Sequence, residues 1–554
     1  MIAGRSSGGR GVGAARADPN STRRSSVGAV QAEPSPQRRR GPWTRAALAG
    51  VLAAGLALAA GELFAGSVSG GPSLAVAVGN LVIDLVPEGI KELAIRLFGT
   101  NDKLVLITSI SVLALVLGGL LGLVAMRRIW VAAAGFAAFG IVGAVAGARS
   151  PQLATEHAAL AGALAAATGI WALALLTRLG RAPAPAGATA EAMPVNRKGQ
   201  WSRRGFLQGA VALGAVAAAA AAGGRVLLER ARIVAANRTH VVLPSPAEVA
   251  ATVPAEATVD APGINPVVTP NDVFYRIDTA LVIPHVDLAE WGLRITGMVE
   301  RPYELSFNEL LRLPMVERYI TICCVSNEVG GDLIGNAKWL GVPLRTVLEH
   351  AGVKRGATQI VGRSVDGFTV GFPTELAFDG REALVAVGMN GEPLPFEHGF
   401  PTRIVVAGVY GYVSATKWLS EIELTTLEAF DAYWIPRGWA KQAPIKTQSR
   451  IDVPARLTVP AGRQPVAGVA WAQNRGIAKV EVQIDDAPWA EARLARAISK
   501  DTWVQWVYDW DARPGEHTLR VRATDATGQT QTAFEAPPPP DGATGYHTRN
   551  VRVA

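Results

Sequence analysis

The chain reads as a multidomain membrane protein: an N-terminal transmembrane helical bundle of about five spans, a mixed α+β domain, and a C-terminal immunoglobulin-like β-sandwich. Three observations predict this. Of 554 residues, 49% are hydrophobic and 18% charged, and mean hydropathy is positive at +0.21, too apolar and too long for one soluble core. Charge-poor runs near the ~20 residues that cross a bilayer stand at 46–66, interrupted only by Glu62, and at 104–126, 129–148, 157–177 and 205–224. Beyond about residue 265 the composition turns globular and short alternating strands dominate.

Residues 1–44 are rich in Gly, Ser, Pro and Arg and lack apolar periodicity, which predicts a disordered basic tail on the cytoplasmic face; a plain spacer fits equally. Residues 1–45 hold Arg5, Arg10, Arg16, Arg23, Arg24, Arg38, Arg39, Arg40 and Arg45 against Asp18 and Glu33, a charge of +7 out of the chain's formal +8. The remainder has no basic stripe to follow a phosphate backbone, so nucleic acid is not an expected partner.

Residues 45–180 carry the first four spans. Within them, 73–98 begins apolar but is interrupted by Asn80, Asp84, Pro87, Glu88, Lys91 and Glu92. A sixth span here would put Arg127 and Arg128 outside, so the segment is expected to be an external interfacial or re-entrant stretch. Residues 181–204 form a cytoplasmic linker, 205–224 the fifth span, and 225–265 a Pro/Ala/Val-rich extracytoplasmic linker. Trp201-Ser202-Arg203-Arg204-Gly205-Phe206-Leu207 resembles a twin-arginine export signal, its alternative being arginines that obey the positive-inside rule. Ala-rich 217–222 resembles a signal-peptidase site, although retention in the membrane is expected. Only His157 of seven histidines lies in or beside a span, which excludes an intrinsic bis-His haem and leaves the bundle as an anchor or as a docking site for a separate electron carrier. The expected location is a bacterial cell membrane, multi-pass, with the soluble domains extracytoplasmic.

In the soluble half, 291–312 reads as strand, turn and short helix, and 344–351 as a helix following Val342-Pro343. From 447 onwards, strands at 456–459, 466–471, 478–484, 502–508 and 517–524 alternate with Gly-, Pro- and Asp-rich turns, a β domain of about a hundred residues with Trp471, Trp503 and Trp506 assigned to its core. Cys323 and Cys324 are the whole thiol inventory, and their adjacency excludes a disulfide framework, a four-Cys cluster and a Cys-x-x-Cys-His haem attachment. They end an apolar strand, 319–325, that runs into a polar Gly-rich turn. Alternation sends the two thiols to opposite faces, so one can face a site while the other packs. A lone thiol in such a strand is ordinarily a small buried hydrophobe.

Further motifs surround that turn: Asn271-Asp272-Val273-Phe274-Tyr275-Arg276, Cys324-Val325-Ser326-Asn327, Ala337-Lys338-Trp339-Leu340-Gly341-Val342-Pro343-Leu344, Met389-Asn390-Gly391-Glu392-Pro393-Leu394-Pro395, His398-Gly399-Phe400-Pro401-Thr402-Arg403 and Lys417-Trp418-Leu419. Together they resemble the molybdopterin-binding domain of the sulfite oxidase family, over Asn271 to about Pro454. Gly468-Val469-Ala470-Trp471 and Arg522-Ala523-Thr524-Asp525 resemble the family's molybdenum-cofactor dimerisation domain. The resemblance implies a catalytic domain at 266–446, a dimerisation-type sandwich at 447–554, and a homodimer by analogy. It makes Cys324 the catalytic molybdenum ligand and Cys323 the neighbour that packs away. It places Asn271, Phe274, Tyr275, Ser326, Asn327, Ser364, His398, Arg403, Ala415, Thr416 and Lys417 around a molybdenum-molybdopterin cofactor. The chemistry agrees: a thiolate suits a sulfur-rich metal centre, and a phosphorylated pterin wants a guanidinium fork, an ammonium and hydrogen-bond donors. The alternatives are a salt bridge for Arg403, a satisfied turn for His398, and a hairpin for Ser364-Val365-Asp366-Gly367.

The implied reaction is oxygen-atom transfer to or from a small-molecule or protein-bound oxyanion or S-oxide, with electrons exchanged with a separate carrier, a quinone or cytochrome. Two departures from the sulfite-oxidising pattern bear on substrate: Glu328 stands where Arg is expected, and Phe368 and Phe372 where a Tyr is expected. An acid for a base reverses the field an anion meets, which disfavours sulfite. An S-oxide reductase of the methionine-sulfoxide kind is the rival within the family, and a cofactor-free extracellular binding or scaffold module the rival outside it. A transporter is weaker still, with Glu62 the main ionisable group inside a span.

Overall fold

The computed structural model describes residues 41–67, 72–87, 90, 93, 97–98, 102–179, 203–235 and 237–554. The basic tail up to residue 40, most of the 181–204 linker, and Trp201 and Ser202 of the export-like motif lie outside the described residues. The described N-terminal helices are α1 (Gly41–Ser67), α2 (Leu74–Leu85), α3 (Asp102–Ala125), α4 (Ile129–Ala148), α5 (Thr155–Leu179) and α6 (Arg203–Ala235). All but α2 are long and apolar enough to cross a bilayer, the apolar stretches being Trp43–Phe64, Lys103–Ala125, Ile129–Ala148, Thr155–Leu179 and Leu207–Gly224. Helix α2 has 12 residues, about 18 Å at 1.5 Å each, short of the hydrocarbon thickness. Ser73 caps it, its Oγ accepting from Val76 N at 3.3 Å.

Small residues set the helix contacts, as expected where lipid leaves no hydrophobic drive between spans. A Cβ at Gly50 would stand 2.0 Å from Gly118 O, and one at Gly122 2.1 Å from Ala46 O, so α1 and α3 touch backbone to backbone. Gly140 and Gly162 do the same for α4 and α5, at 2.5 Å.

The stretch expected as a linker, 225–265, is partly helical and partly packed on the soluble domains. Helix α6 continues to Ala235, and the segment beyond it is strapped to both soluble domains. Ala247 N donates to Met315 O at 2.7 Å, Val259 N donates to Gln505 Oε1 at 2.9 Å, and Val259 and Ala261 are buried with Val453, Ala467 and Val507.

The middle domain contains β1 (Gly292–Gly297), β2 (Tyr303–Ser306), α7 (Phe307–Leu311), β3 (Val316–Cys323), β4 (Ile334–Pro343), α8 (Leu344–Ala351), β5 (Gln359–Ser364), β6 (Thr369–Pro373), β7 (Ala383–Met389), β8 (Glu392–Pro393), β9 (Arg403–Val406), α9 (Gly411–Ser414) and β10 (Leu419–Thr425). One sheet runs β2-β1-β10-β5-β6, with only β1 and β10 parallel; the other runs β3-β4-β7-β8, with β9 also paired to β7. Helix α7 starts with a capping box between Ser306 and Glu309, and α8 buries Leu344, Val347, Leu348 and Ala351, the spacing of one helix face. These pack with Leu293, Ile295, Ile360, Phe372, Ile404 and Ile422 in the main core.

The C-terminal domain comes next, with β11 (Gln448–Val453), β12 (Thr458–Val459), β13 (Gly462–Trp471), β14 (Ile477–Ile484), β15 (Ala490–Glu491), β16 (Arg493–Leu494), β17 (Val504–Ala512), β18 (Gly515–Asp525) and β19 (His547–Val553). Sheets β11-β13-β17-β16 and β12-β19-β18-β14-β15 enclose Val466, Val480, Trp506, Leu519, Val521 and Val551. Trp506 lies in this core as expected, but Trp471 and Trp503 lie in the main core of the middle domain. They stand at the ends of their strands beside β3: Trp503 N donates to Thr321 Oγ1 at 2.8 Å and its Nε1 to Val267 O at 2.8 Å. Edge strand β3 is thereby closed, because Thr321 N also donates to Asp501 O at 2.9 Å and Glu317 N to Glu248 O at 2.8 Å.

Gly118→Leu should force α1 and α3 apart and cost about 1–3 kcal/mol, the usual penalty of overpacking, read as a lower thermal midpoint of the full chain in detergent. Gly55→Ala, whose new Cβ would meet only Leu115 at 3.8 Å, should leave that midpoint in place.

Candidate active site

Strand β3 delivers the cysteines, and the alternation expected from sequence is observed. Cys323 is buried in the main core, while Cys324 faces a cavity. The turn after it is fixed from several sides: Cys324 N donates to Leu333 O at 2.9 Å, Asn327 Oδ1 accepts from Leu333 N at 2.8 Å, and Arg450 of β11 donates to Gly331 O at 2.7 Å.

Eight of the expected residues line that one cavity: Phe274, Tyr275, Cys324, Ser326, Ser364, Arg403, Ala415 and Lys417. The other four support it from behind. Asn327 braces the turn as above. His398 is 1% exposed, contacts Asn271 O through Nε2 at 3.0 Å, packs edge-on to Phe274 at 5.5 Å, and gives its own carbonyl to Arg403 Nη1 at 3.1 Å. The Asn271 side chain points to a second, shallower depression, donating to Glu392 Oε1 at 2.6 Å and accepting from Asn390 at 2.8 Å. Thr416 Oγ1 is turned toward β5, where a Cβ on Gly362 would lie 2.3 Å away. Glycines make room elsewhere: a Cβ at Gly335 would meet the Phe274 ring at 2.6 Å, and Gly399, at φ +110, lies under Lys417. Trp418 holds φ at +49, a rare conformation for a bulky residue, beside the ammonium it helps to orient.

Burial dominates the electrostatics. It pushes the Cys324 thiol up, against the N–H groups of Ser326 and Val325 and the Ser326 hydroxyl, and pushes Cys323 and Tyr275 well above their ordinary values. Burial lowers Arg403 to about 10 and Lys417 to about 8, although Asp278 opposes the latter. At Asp278 burial raises the pKa, but Lys417, Arg276 and Lys103 outweigh it and hold the carboxyl well below the usual range. Lys417 Nζ donates to Asp278 Oδ2 at 3.2 Å and Glu397 O at 2.9 Å.

The donor set fits a phosphorylated, sulfur-ligated cofactor. Arg403 is 3% exposed and has no carboxylate partner among the described residues; its Nε is buried without an acceptor, and its guanidinium lies 5.1 Å over the Trp339 ring. His398 Nδ1 and Thr416 Oγ1 are also buried without partners. Such orphans are costly unless a ligand meets them. Among the described residues no three His, Cys, Asp or Glu side chains converge as a metal site, so a metal bound to Cys324 would bring most of its ligands with it, as a dithiolene pterin does.

Residues 280–434 match the family profile described as the oxidoreductase molybdopterin-binding domain. The uncharacterised oxidoreductase YuiH of Bacillus subtilis is 34% identical over 166 residues, 30% of this chain and 80% of YuiH. Sulfite oxidase of Arabidopsis thaliana is 29% identical over 299 residues, 43% of this chain and 75% of that enzyme. The chain belongs to the sulfite oxidase family of molybdopterin oxidoreductases. Mitochondrial sulfite oxidase of Rattus norvegicus is 29% identical over 271 residues, and this family member spans about half, 49%, of its length. Among solved structures, the sulfane dehydrogenase SoxCD of Paracoccus pantotrophus aligns at 24% identity with a TM-score of 0.45, covering 52% of this chain and 84% of that one.

Several cavity residues of this sulfite oxidase family member escaped the sequence reading: Asp278, Tyr412, Trp434 and Trp439. Asp278 stands two positions beyond the Phe-Tyr-Arg element, and the need of a buried Lys417 for a counter-charge was the available signal. The two substrate-side departures also resolve differently than expected. Glu328 is exposed and outside the lining. Phe368 lines the cavity, Phe372 is core, and the phenols in the lining are Tyr275 and Tyr412, the latter's OH donating to Ala440 O at 2.5 Å.

Asp278→Asn should destabilise the protein by about 3–5 kcal/mol in chemical denaturation, because it strands a buried ammonium. Burial, aided by Arg403 and Lys417, lowers His398 to about 4, so it is neutral at pH 7 in the folded state. Its contribution is present above the ordinary histidine range near 6.5 and lost as pH falls toward 4. Denaturation midpoints of His398→Gln should therefore fall less steeply between those pH values than those of wild type.

Proposed function

We propose that the protein is a membrane-anchored molybdenum-pterin oxidoreductase that moves an oxygen atom to or from a substrate at an extracytoplasmic site and exchanges electrons with a separate carrier. The observation that carries this reading is the meeting, in one cavity, of the Cys324 thiol with two buried cations, Arg403 and Lys417. When bound, the cofactor supplies two-electron oxygen-atom exchange at its metal. The chain's own residues hold it. Cys324 gives up its proton to become a soft ligand, which the Ser326 and Val325 N–H groups favour. Arg403 offers a fork and Lys417 a point charge to a phosphate. Neutral His398, with Nε2–H on the Asn271 carbonyl, would brace Phe274 and Arg403 from behind the cavity. Phe274 and Tyr275, stacked at 5.2 Å, form a wall that keeps water from the sulfur.

Arg127, Arg128 and Arg178 mark one end of the bundle and the soluble domains join the other, which supports an extracytoplasmic site by the positive-inside rule. Arg203 and Arg204 at the start of α6 suit export of a folded domain by a twin-arginine route, and the two-sheet C-terminal domain suits an immunoglobulin-like dimerisation module. The wall of Phe368, Tyr412, Trp434 and Trp439 favours an uncharged S-oxide over sulfite as the oxygen-bearing partner.

Full-length protein from a host that makes molybdenum cofactor should carry about one molybdenum and one pterin per chain. Cys324→Ser should lose the metal's thiolate spectroscopic signature and Cys323→Ser should retain it. A well-folded wild type with neither metal nor pterin would leave the scaffold reading in its place.

A further inference from the structure

Three walls of the cavity rest on the membrane helices. Lys103, at the start of α3, donates to Asp278 Oδ1 at 2.9 Å and to the carbonyls of Asp278 and Ala280 at 3.2 and 2.7 Å. Asp84, near the end of α2, accepts from Arg437 at 3.2 Å, in the loop that carries Trp434 and Trp439. Pro151, in the turn between α4 and α5, lies so close to Gly367 that a Cβ there would be 2.7 Å from its Cγ. Asp84, Lys103 and Pro151 all belong to the end of the bundle opposite Arg127, Arg128 and Arg178. The segments they touch, around 278, 367 and 437, border one cavity. The side of the cavity that these segments border, its mouth, is thus the side that faces the helix ends.

The mouth is built from flat rings. Trp434 and Trp439 cross at 6.3 Å, Tyr412 meets Trp439 at 5.6 Å, Phe368 meets Tyr433 at 5.6 Å, and the Arg437 guanidinium covers Tyr433 at 3.7 Å. Aromatic side chains with arginine are the residues that settle at a bilayer interface, and their faces accept another planar ring. The sequence supplies no relay of its own: two adjacent cysteines cannot build an iron–sulfur site, and His157 is the one histidine in or beside a span. A donor that reaches the cavity directly needs no such relay.

We propose that this mouth admits a lipid-borne quinol. The inference rests on the oxidoreductase reading above and names its electron partner. In the step it supplies, a quinol gives up two electrons and two protons and leaves as quinone; the S-oxide loses its oxygen, which departs as water, and becomes the sulfide. The helices are then part of the site, and the contacts at Asp84 and Lys103 hold its walls at membrane depth.

The test uses the full chain in lipid nanodiscs, with molybdenum measured on the same preparation. An azido-naphthoquinone is photo-crosslinked and mapped by peptide mass spectrometry, and reduction of dimethyl sulfoxide is driven in parallel by a short-chain menaquinol or by reduced viologen. The expected result is crosslinking to peptides containing 277–281 or 434–439, suppressed by excess unlabelled quinone. Arg437→Gln, which frees the aromatic loop from α2, should lower menaquinol-driven turnover about tenfold more than it lowers viologen-driven turnover. Molybdenum-loaded protein that works with viologen but neither labels at the mouth nor oxidises menaquinol overturns this inference and leaves the oxidoreductase reading standing. The same holds if a soluble cytochrome sustains turnover and quinone does not label. Competable labelling at the mouth of a chain without molybdenum supports the quinone site while removing the reaction proposed for it.

Discussion

A single buried carboxylate ties the parts of this molecule together. Asp278 is 5% exposed at its side chain and faces Lys417 across the cavity at 3.2 Å, Arg276 from its own segment at 2.9 Å and Lys103 from the N-terminal helical bundle at 2.9 Å. Charges at such depth persist only when paired, and removing one member exposes the others to the full desolvation penalty. The pairing therefore fixes three elements at once: the aromatic strip 274–280, the turn that carries Lys417, and the first turn of α3.

Arg403 is the counterpoint. It is as buried as Asp278, yet it is balanced by a ring face and a carbonyl instead of an anion. A protein interior tolerates such a group when a ligand completes it. One cation neutralised by the chain and one left for a guest is a sensible division for a cradle that must bind a phosphorylated molecule tightly and still fold before that molecule arrives.

Much of the architecture was legible from sequence because its signals are local. Long apolar runs bounded by arginines gave five helices long and apolar enough to cross a bilayer, Leu344 to Ala351 gave a helix through its spacing, and adjacent cysteines had to face opposite ways. Eight cavity residues were likewise legible through motifs. What escaped was set by tertiary placement. Apolarity says that Trp471 and Trp503 are buried but not in which core, and their positions at strand ends beside β3 assign them to the catalytic domain. Asn327 and Glu328 come soon after Cys324 in sequence, yet a tight turn points one back into the loop and the other to solvent. The strap at 241–265 lacks periodicity because its partners are single backbone groups on distant strands.

The closure of edge strand β3 also orders events in time. The strand that presents Cys324 finds its outer hydrogen-bond partners at Glu248, already synthesised, and at Asp501 and Trp503, which leave the ribosome long after it. Contacts of such sequence separation form late. The outer edge of that strand is thus completed only when the C-terminal domain has folded against it, so the last hundred residues brace the strand from which Cys324 is presented.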